Sequence, residues 1–160
     1  TEGKVDGFIC SSGTGGTISG VSNALKEKNK DIKIYLSDPK GSSLYNYIKN
    51  GELKSDGNSI TEGIGNSRIT RNLADTQING AIQVKDQDMV DMVYSLLHED
   101  GWFLGSSSGI NLCSAYEVAK KLGPGNTIVT ILCDDGSKYQ STLFNQEFLE
   151  RKSLRAGHVK

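Results

Sequence analysis

The chain has 160 residues, 36% of them hydrophobic and 23% charged, with a formal net charge of −1 at pH 7. That length suits one domain with a proper core, and the near-neutral balance gives no footing for nucleic acid or an anionic membrane surface. No apolar run of about 18 residues and no signal-peptide pattern is found. The three cysteines, Cys10, Cys113 and Cys133, have neither metal-site spacing nor an even count, so no metal is expected and a reducing, intracellular setting is.

The chain opens at Thr1 without a methionine, as a compact domain or a fragment of a longer protein would. Gly7 to Ser11 is a short apolar run ended by glycines. From Thr17 to Asn29 the residues Ile18, Val21 and Leu25 recur at helical spacing, with lysines in the last turns where the helix dipole favours them. Ile32 to Pro39 alternates and stops at proline, as a strand does. Residues 42 to 50 predict a short helix, and 55 to 79 predict loop. "AIQV" (81 to 84) predicts a strand. Asp86 is expected to cap a helix that puts Met89, Val90, Val93, Leu96 and Leu97 on one face and ends at Gly101. A strand at Trp102 to Leu104 and a helix from about Ile110 to Leu122 follow. "TIVTILCDDG" (127 to 136) is the strongest candidate for a buried strand.

This alternation predicts an α/β fold in three layers, a mostly parallel twisted sheet with helices on both faces. Residues 1–151 would form the domain and 152–160 a charged tail. Ligands of such sheets gather at the carboxyl ends of the strands, which singles out the loops at 11–17, 105–109 and 133–138.

"SSGTGGTISG" (11 to 20) follows a strand and opens a helix. Its glycines let the backbone approach a ligand, and the free N–H groups of a helix start attract an anion. Thr14 and Thr17 add hydroxyls. A Walker loop is excluded, since no Gly-Lys-Ser/Thr is present. A dinucleotide fingerprint starts at Gly13 and Gly15 but meets Ile18 where Gly or Ala is needed; Asp38 stands near the place of a ribose-binding acid. A phosphate-bearing ligand is the favoured reading, against a glycine-rich turn with no ligand. In "SITEGIGNSRITRNL" (59 to 73), Gly63 and Gly65 flank Ile64, as in backbone lying close to a ligand or in a plain surface loop. Arg68 and Arg71 could grip a carboxylate or be merely solvated.

Gly105-Ser106-Ser107-Ser108-Gly109 matches G-x-S-x-G, and the order serine, acid (Asp134, Asp135), histidine (His158) is that of an α/β-hydrolase. The match is poor chemistry. His158 lies in the charged tail, where chains are usually mobile, and His98 follows the apolar run of a helix. A nucleophile needs its base within hydrogen-bond reach.

"GTGGT" after a strand, then "SDPKGSSLYNYIKNGELKSDGNSITEGIG", "FLGSSSG" and "LCDDGSKY" together resemble the cysteine synthase and cystathionine β-synthase family of pyridoxal-phosphate enzymes, fold type II. The likeness runs in order over nearly the whole chain. It implies that Gly13, Thr14, Gly15, Gly16 and Thr17 hold the cofactor phosphate, that Gly63, Ile64 and Gly65 lie beside the cofactor, and that Ser107 faces the pyridine nitrogen. A serine can donate a hydrogen bond there but cannot protonate the ring as a carboxylic acid would, so the ring is a weaker electron sink. That suits β-elimination from a serine derivative, followed by addition of sulfide or a thiol. The implied activity is cysteine synthesis from O-acetylserine and sulfide, with an amino-acid substrate and a homodimer when intact, in cytoplasm or mitochondrion. No lysine here matches the family's Schiff-base motif, so no catalytic residue is assigned. The expectation is the carboxyl-terminal half of such an enzyme, an incomplete large domain inactive without the missing amino-terminal half. The alternatives are a non-catalytic phosphate-ligand-binding or regulatory domain and, remotely, a serine hydrolase using Ser107.

Overall fold

The computed structural model describes residues 1–157. Four strands, β1 (Gly7–Ser11), β2 (Lys33–Pro39), β3 (Gly80–Val84) and β4 (Ile128–Thr130), form one sheet in the order β3-β2-β1-β4. Every pairing is parallel, with Phe8 opposite Ile34, Ile9 opposite Tyr35 and Tyr35 opposite Gly80. Because side chains alternate across a strand, Phe8, Cys10, Ile34 and Leu36 point to one face, where they meet Ile18, Leu44 and Leu73. Ile9 and Tyr35 point to the other and meet Val118. The first face is covered by α1 (Gly16–Lys28), α2 (Leu44–Asn50) and the short α3 (Arg71–Ala74). The second is covered by α5 (Ser106–Leu122), with α4 (Asp86–Asp100) packed behind it. The chain closes with a 3-10 turn (Gly136–Tyr139) and α6 (Gln146–Arg151).

Four expectations change on contact with the structure. Trp102 to Leu104 is no strand: only Leu104 pairs, in an isolated antiparallel bridge to Asp135, while the Trp102 N–H closes the end of α4 on the Leu96 carbonyl at 3.1 Å. The buried strand expected across 127–136 shrinks to three residues. Among the described residues β4 has a partner on one side only, so its residues are half-buried and Leu132 beyond it is 44% exposed. Helix α5 begins at Ser106 rather than near Ile110. Asp86 is the first residue of α4, not its cap, and its carboxylate instead accepts from the Ser59 hydroxyl (2.5 Å) and the Ile60 N–H (2.8 Å).

Residues 152–157 do not leave the domain. Leu154 and Ala156 pack on the cluster of Val84, Val90 and Leu149, and the Gln87 amide exchanges hydrogen bonds with the Arg155 backbone at 2.9 and 3.0 Å. His158 lies outside the described residues.

Candidate functional site

A cleft of about 620 Å³ opens at the carboxyl end of β1 and beside the segment that follows β4; Gly13, Thr17, Gly63, Ser107, Asp134 and Tyr139 are among its lining residues. Three loops distant in sequence meet there. The loop before α1 is pinned from below: the Gly65 N–H donates to the Ser12 carbonyl at 2.9 Å, Asn66 Nδ2 to the Gly13 carbonyl at 3.0 Å, and Thr70 Oγ1 to the Thr14 carbonyl at 2.7 Å. Its carbonyls are thus consumed by the 65–72 segment. Among the described residues the N–H groups of Gly13, Thr14 and Gly15 have no acceptor.

Gly15 caps α1 with φ of +83° and carries no side chain to fill the helix end, and the first turn has no acid. The N–H groups of a first turn have no intrahelical acceptor, so α1 presents donors and a positive dipole end to the cleft. Thr14, Gly16 and Thr17 are exposed there. The Ser12 hydroxyl is buried without a hydrogen-bond partner. These donors fit a phosphate group, although Glu62 and Asp134 line the same cleft.

Ser107 sits in the first turn of α5, on the other wall. Its Oγ faces Asp134 Oδ1 at 3.4 Å, and the opposite oxygen of Asp134 accepts from the Tyr139 hydroxyl at 2.9 Å. Burial, then the Asp134 bond, pushes the Tyr139 phenol up to about 12. The neighbouring Ser108 hydroxyl accepts from the Cys133 N–H at 2.9 Å, and Asn111 ties β1 to the post-β4 segment through the Ser11 N–H (2.7 Å) and the Ile131 carbonyl (2.9 Å). Cys10 lines the cleft, but burial, then Cys133, raises its thiol to about 12, which keeps it protonated and inert.

The two glycines of G-x-S-x-G owe their identity to packing. A Cβ on Gly105 would collide with Asp134, and one on Gly109 would stand 2.6 Å from Val93 Cγ1 of α4. Ser107 lies in regular helix, absent from the positive-φ positions of the described residues, whereas a nucleophile elbow is strained. Arg68 and Arg71 are exposed and do not line the cleft. Asp134, read from the sequence only as a possible hydrolase acid, lines the cleft, as do Tyr139 and Glu62, which the sequence reading did not single out. A larger hollow of about 760 Å³, along the free edge of β3 and bounded by Tyr116 and Asp91, is lined by none of the residues expected to hold the cofactor.

The profile of the family described as pyridoxal-phosphate dependent enzyme matches residues 1–134. The chain belongs to that family. It is 45% identical over 160 residues to a cysteine synthase 1 of Emericella nidulans, covering 97% of this chain and 43% of that protein. A cysteine synthase of Dictyostelium discoideum is 43% identical, with 99% and 45% covered. Among solved structures, an O-acetylserine dependent cystathionine beta-synthase from Helicobacter pylori superposes with a TM-score of 0.79 at 29% identity, covering 88% of this chain and 44% of that one. The chain therefore spans less than half the length of these relatives. The fold type II likeness and its cofactor, pyridoxal phosphate, are those expected from the motifs; of the residues expected to hold the cofactor, Gly13, Thr17, Gly63, Ile64 and Ser107 line the cleft, and Thr14, Gly15 and Gly16 do not.

Proposed function

We propose that this segment is the cofactor-binding wall of an enzyme making cysteine from O-acetylserine and sulfide by β-replacement. The observation that carries the reading is the convergence in one cleft of Gly13 and Thr17, at the two ends of the glycine loop, with Gly63 and Ser107. When bound, pyridoxal phosphate supplies an electron sink that labilises bonds at the substrate Cα. The backbone N–H groups of residues 14–17 and the Thr14 and Thr17 hydroxyls hold its phosphate, aided by the α1 dipole. Gly63, with φ of +74°, and Gly65, with φ of +79°, shape a backbone wall flat enough for a ring to lie against. Ser107 faces the pyridine nitrogen. No lysine of this chain matches the Schiff-base motif, so the covalent attachment and the substrate carboxylate site belong to another part of the enzyme. Three free thiols support a reducing compartment, cytoplasm or mitochondrion.

The test is to load the enzyme that contains this segment with pyridoxal phosphate and to follow acetate release and cysteine formation with sulfide as acceptor. Acetate release that depends on homocysteine and ignores sulfide would move the protein to cystathionine synthesis. A pure phosphate-ligand or regulatory domain would release none.

A further inference from the structure

Strand β1 lies between β2 and β4, with α1 covering one face of the sheet and α5 the other. The crevice between β1 and β4 is therefore a switch point of the kind that ligands occupy. The two strands part early. β1 stays paired with β2 as far as Ser11, but with β4 only as far as Ile9. At the paired end the Gly7 N–H donates to the Thr127 carbonyl at 3.2 Å, and Gly7 stands opposite Ile128 and Ile9 opposite Thr130. Carried on in the same register, a parallel ladder would bring the Ser11 N–H to the Ile131 carbonyl. The side chain of Asn111 stands between them instead. Its Oδ1 accepts the Ser11 N–H at 2.7 Å and its Nδ2 donates to the Ile131 carbonyl at 2.9 Å. Two hydrogen bonds and an amide thus occupy the place of one ladder bond of about 2.9 Å.

We propose that Asn111 is a positioning residue whose carboxamide splits β1 from β4 and so holds the cofactor cleft open. This rests on the reading of the cleft as the cofactor's site. Cys10 and Ser11 on one side of the amide, and Ile131 and Cys133 on the other, all line the cleft. Asn111 is fully buried and acts through these strands. The chemistry suits the place: an N–H only donates and a carbonyl only accepts, so the spacer needs an acceptor at one end and a donor at the other. A carboxylate of the same shape lacks the donor, and an aliphatic side chain lacks both. The helix that carries the amide is anchored. The Ser37 hydroxyl of β2 donates to the Ile110 carbonyl at 2.9 Å and lies 2.6 Å from the Ser114 hydroxyl, and the Cys133 N–H donates to the Ser108 hydroxyl at 2.9 Å.

The experiment uses two variants of the enzyme that contains this segment, loaded with pyridoxal phosphate. Asn111→Ala removes the spacer. Its crystal structure is expected to show the Ser11 N–H bonded directly to the Ile131 carbonyl at about 2.7–3.2 Å, and equilibrium dialysis a cofactor affinity lowered about tenfold or more. A gap that stays open overturns the proposal. A gap that closes with affinity unchanged overturns it as well; if Thr14→Val with Thr17→Val is equally without effect, the failure lies in placing the cofactor in this cleft. Asn111→Asp keeps the shape and the acceptor, and regains the donor only when protonated. Its affinity deficit relative to the parent is expected to shrink as the pH falls from about 8 to about 5.5, since burial raises a carboxyl into that range. Cys10, Cys133 and Asp134, the titratable groups on the flanking strands, are common to parent and variant and cancel in the ratio. An Asn111→Asp deficit that ignores pH would reduce the amide to a filler and overturn the proposal, and this arm decides alone should Asn111→Ala not fold.

Discussion

Gly13 and Gly63 stand back to back: a Cβ built on Gly13 would lie 2.5 Å from the Gly63 carbonyl oxygen. The phosphate loop and the 63–65 loop are therefore one unit, and each fixes the height of the other above the sheet. Asn66 and Gly65 bond the same junction from the side.

Gly13→Ala is expected to push the 61–65 segment away and to weaken cofactor retention by about 1–3 kcal/mol, the usual cost of overpacking. Gly20→Ala, where a new Cβ meets nothing within 4 Å, is the control and should stabilise helix α1 by about 0.5–1 kcal/mol. Equilibrium dialysis of the cofactor and thermal melting separate the two effects. Equal retention in both variants would uncouple the loops.

Replacing Thr14 and Thr17 together by Val should also loosen the cofactor, since each hydrogen bond to a charged group is worth about 1.5–3 kcal/mol. Both side chains are exposed, so the melting temperature should hardly move. Unchanged retention would count against the phosphate assignment.

Asp38, at the end of β2, is fully buried. One oxygen accepts the Tyr45 N–H at 2.8 Å and the other has no partner; the nearby Ser42 hydroxyl donates to the Asn66 carbonyl. Burial raises the carboxyl to about 6. For an acid whose folded pKa lies above its unfolded value, stability is fully present below the unfolded pKa and is lost as pH rises through the folded one. Two pH units correspond to about 3 kcal/mol. Asp38→Asn should therefore melt near the parent at pH 4 and well above it at pH 7.5. A difference that is flat across this range would mean that Asp38 titrates as an ordinary surface acid.

The sequence made the sheet and the loops legible because their signals are local. Apolar runs bounded by glycine or proline marked β1, β2 and β3, and the glycine density of 13–17 marked the helix start. What it could not mark depends on neighbours. β4 reads as buried because its side chains are apolar, yet burial requires a partner strand, and one side of β4 has none among the described residues. The sequence puts the start of α5 late because three serines disfavour helix interiors; here they fill the first turn, where the Ser108 hydroxyl accepts from the post-β4 backbone and the Ser107 hydroxyl faces the Asp134 side chain. Asp134 reads from the sequence only as a possible hydrolase acid, and Tyr139 not at all, because their pairing is set by a side-chain contact five residues apart across a 3-10 turn.

Ser107 separates the cofactor reading from the hydrolase reading. A hydrolase serine is activated by a histidine that removes its proton, whereas the Ser107 hydroxyl is directed at the Asp134 carboxylate. His98 stands at the far end of α4, its ring 6.1 Å from that of Tyr94. A fluorophosphonate probe should therefore leave Ser107 unlabelled. Ser107→Ala should retain the cofactor, because the 13–17 loop supplies most of the grip on a dianionic phosphate. It should slow elimination by about two- to ten-fold, the rate equivalent of one hydrogen bond of about 0.5–1.5 kcal/mol. Loss of all turnover together with covalent labelling at Ser107 would put the nucleophile back at that position and remove the pyridine ring from it.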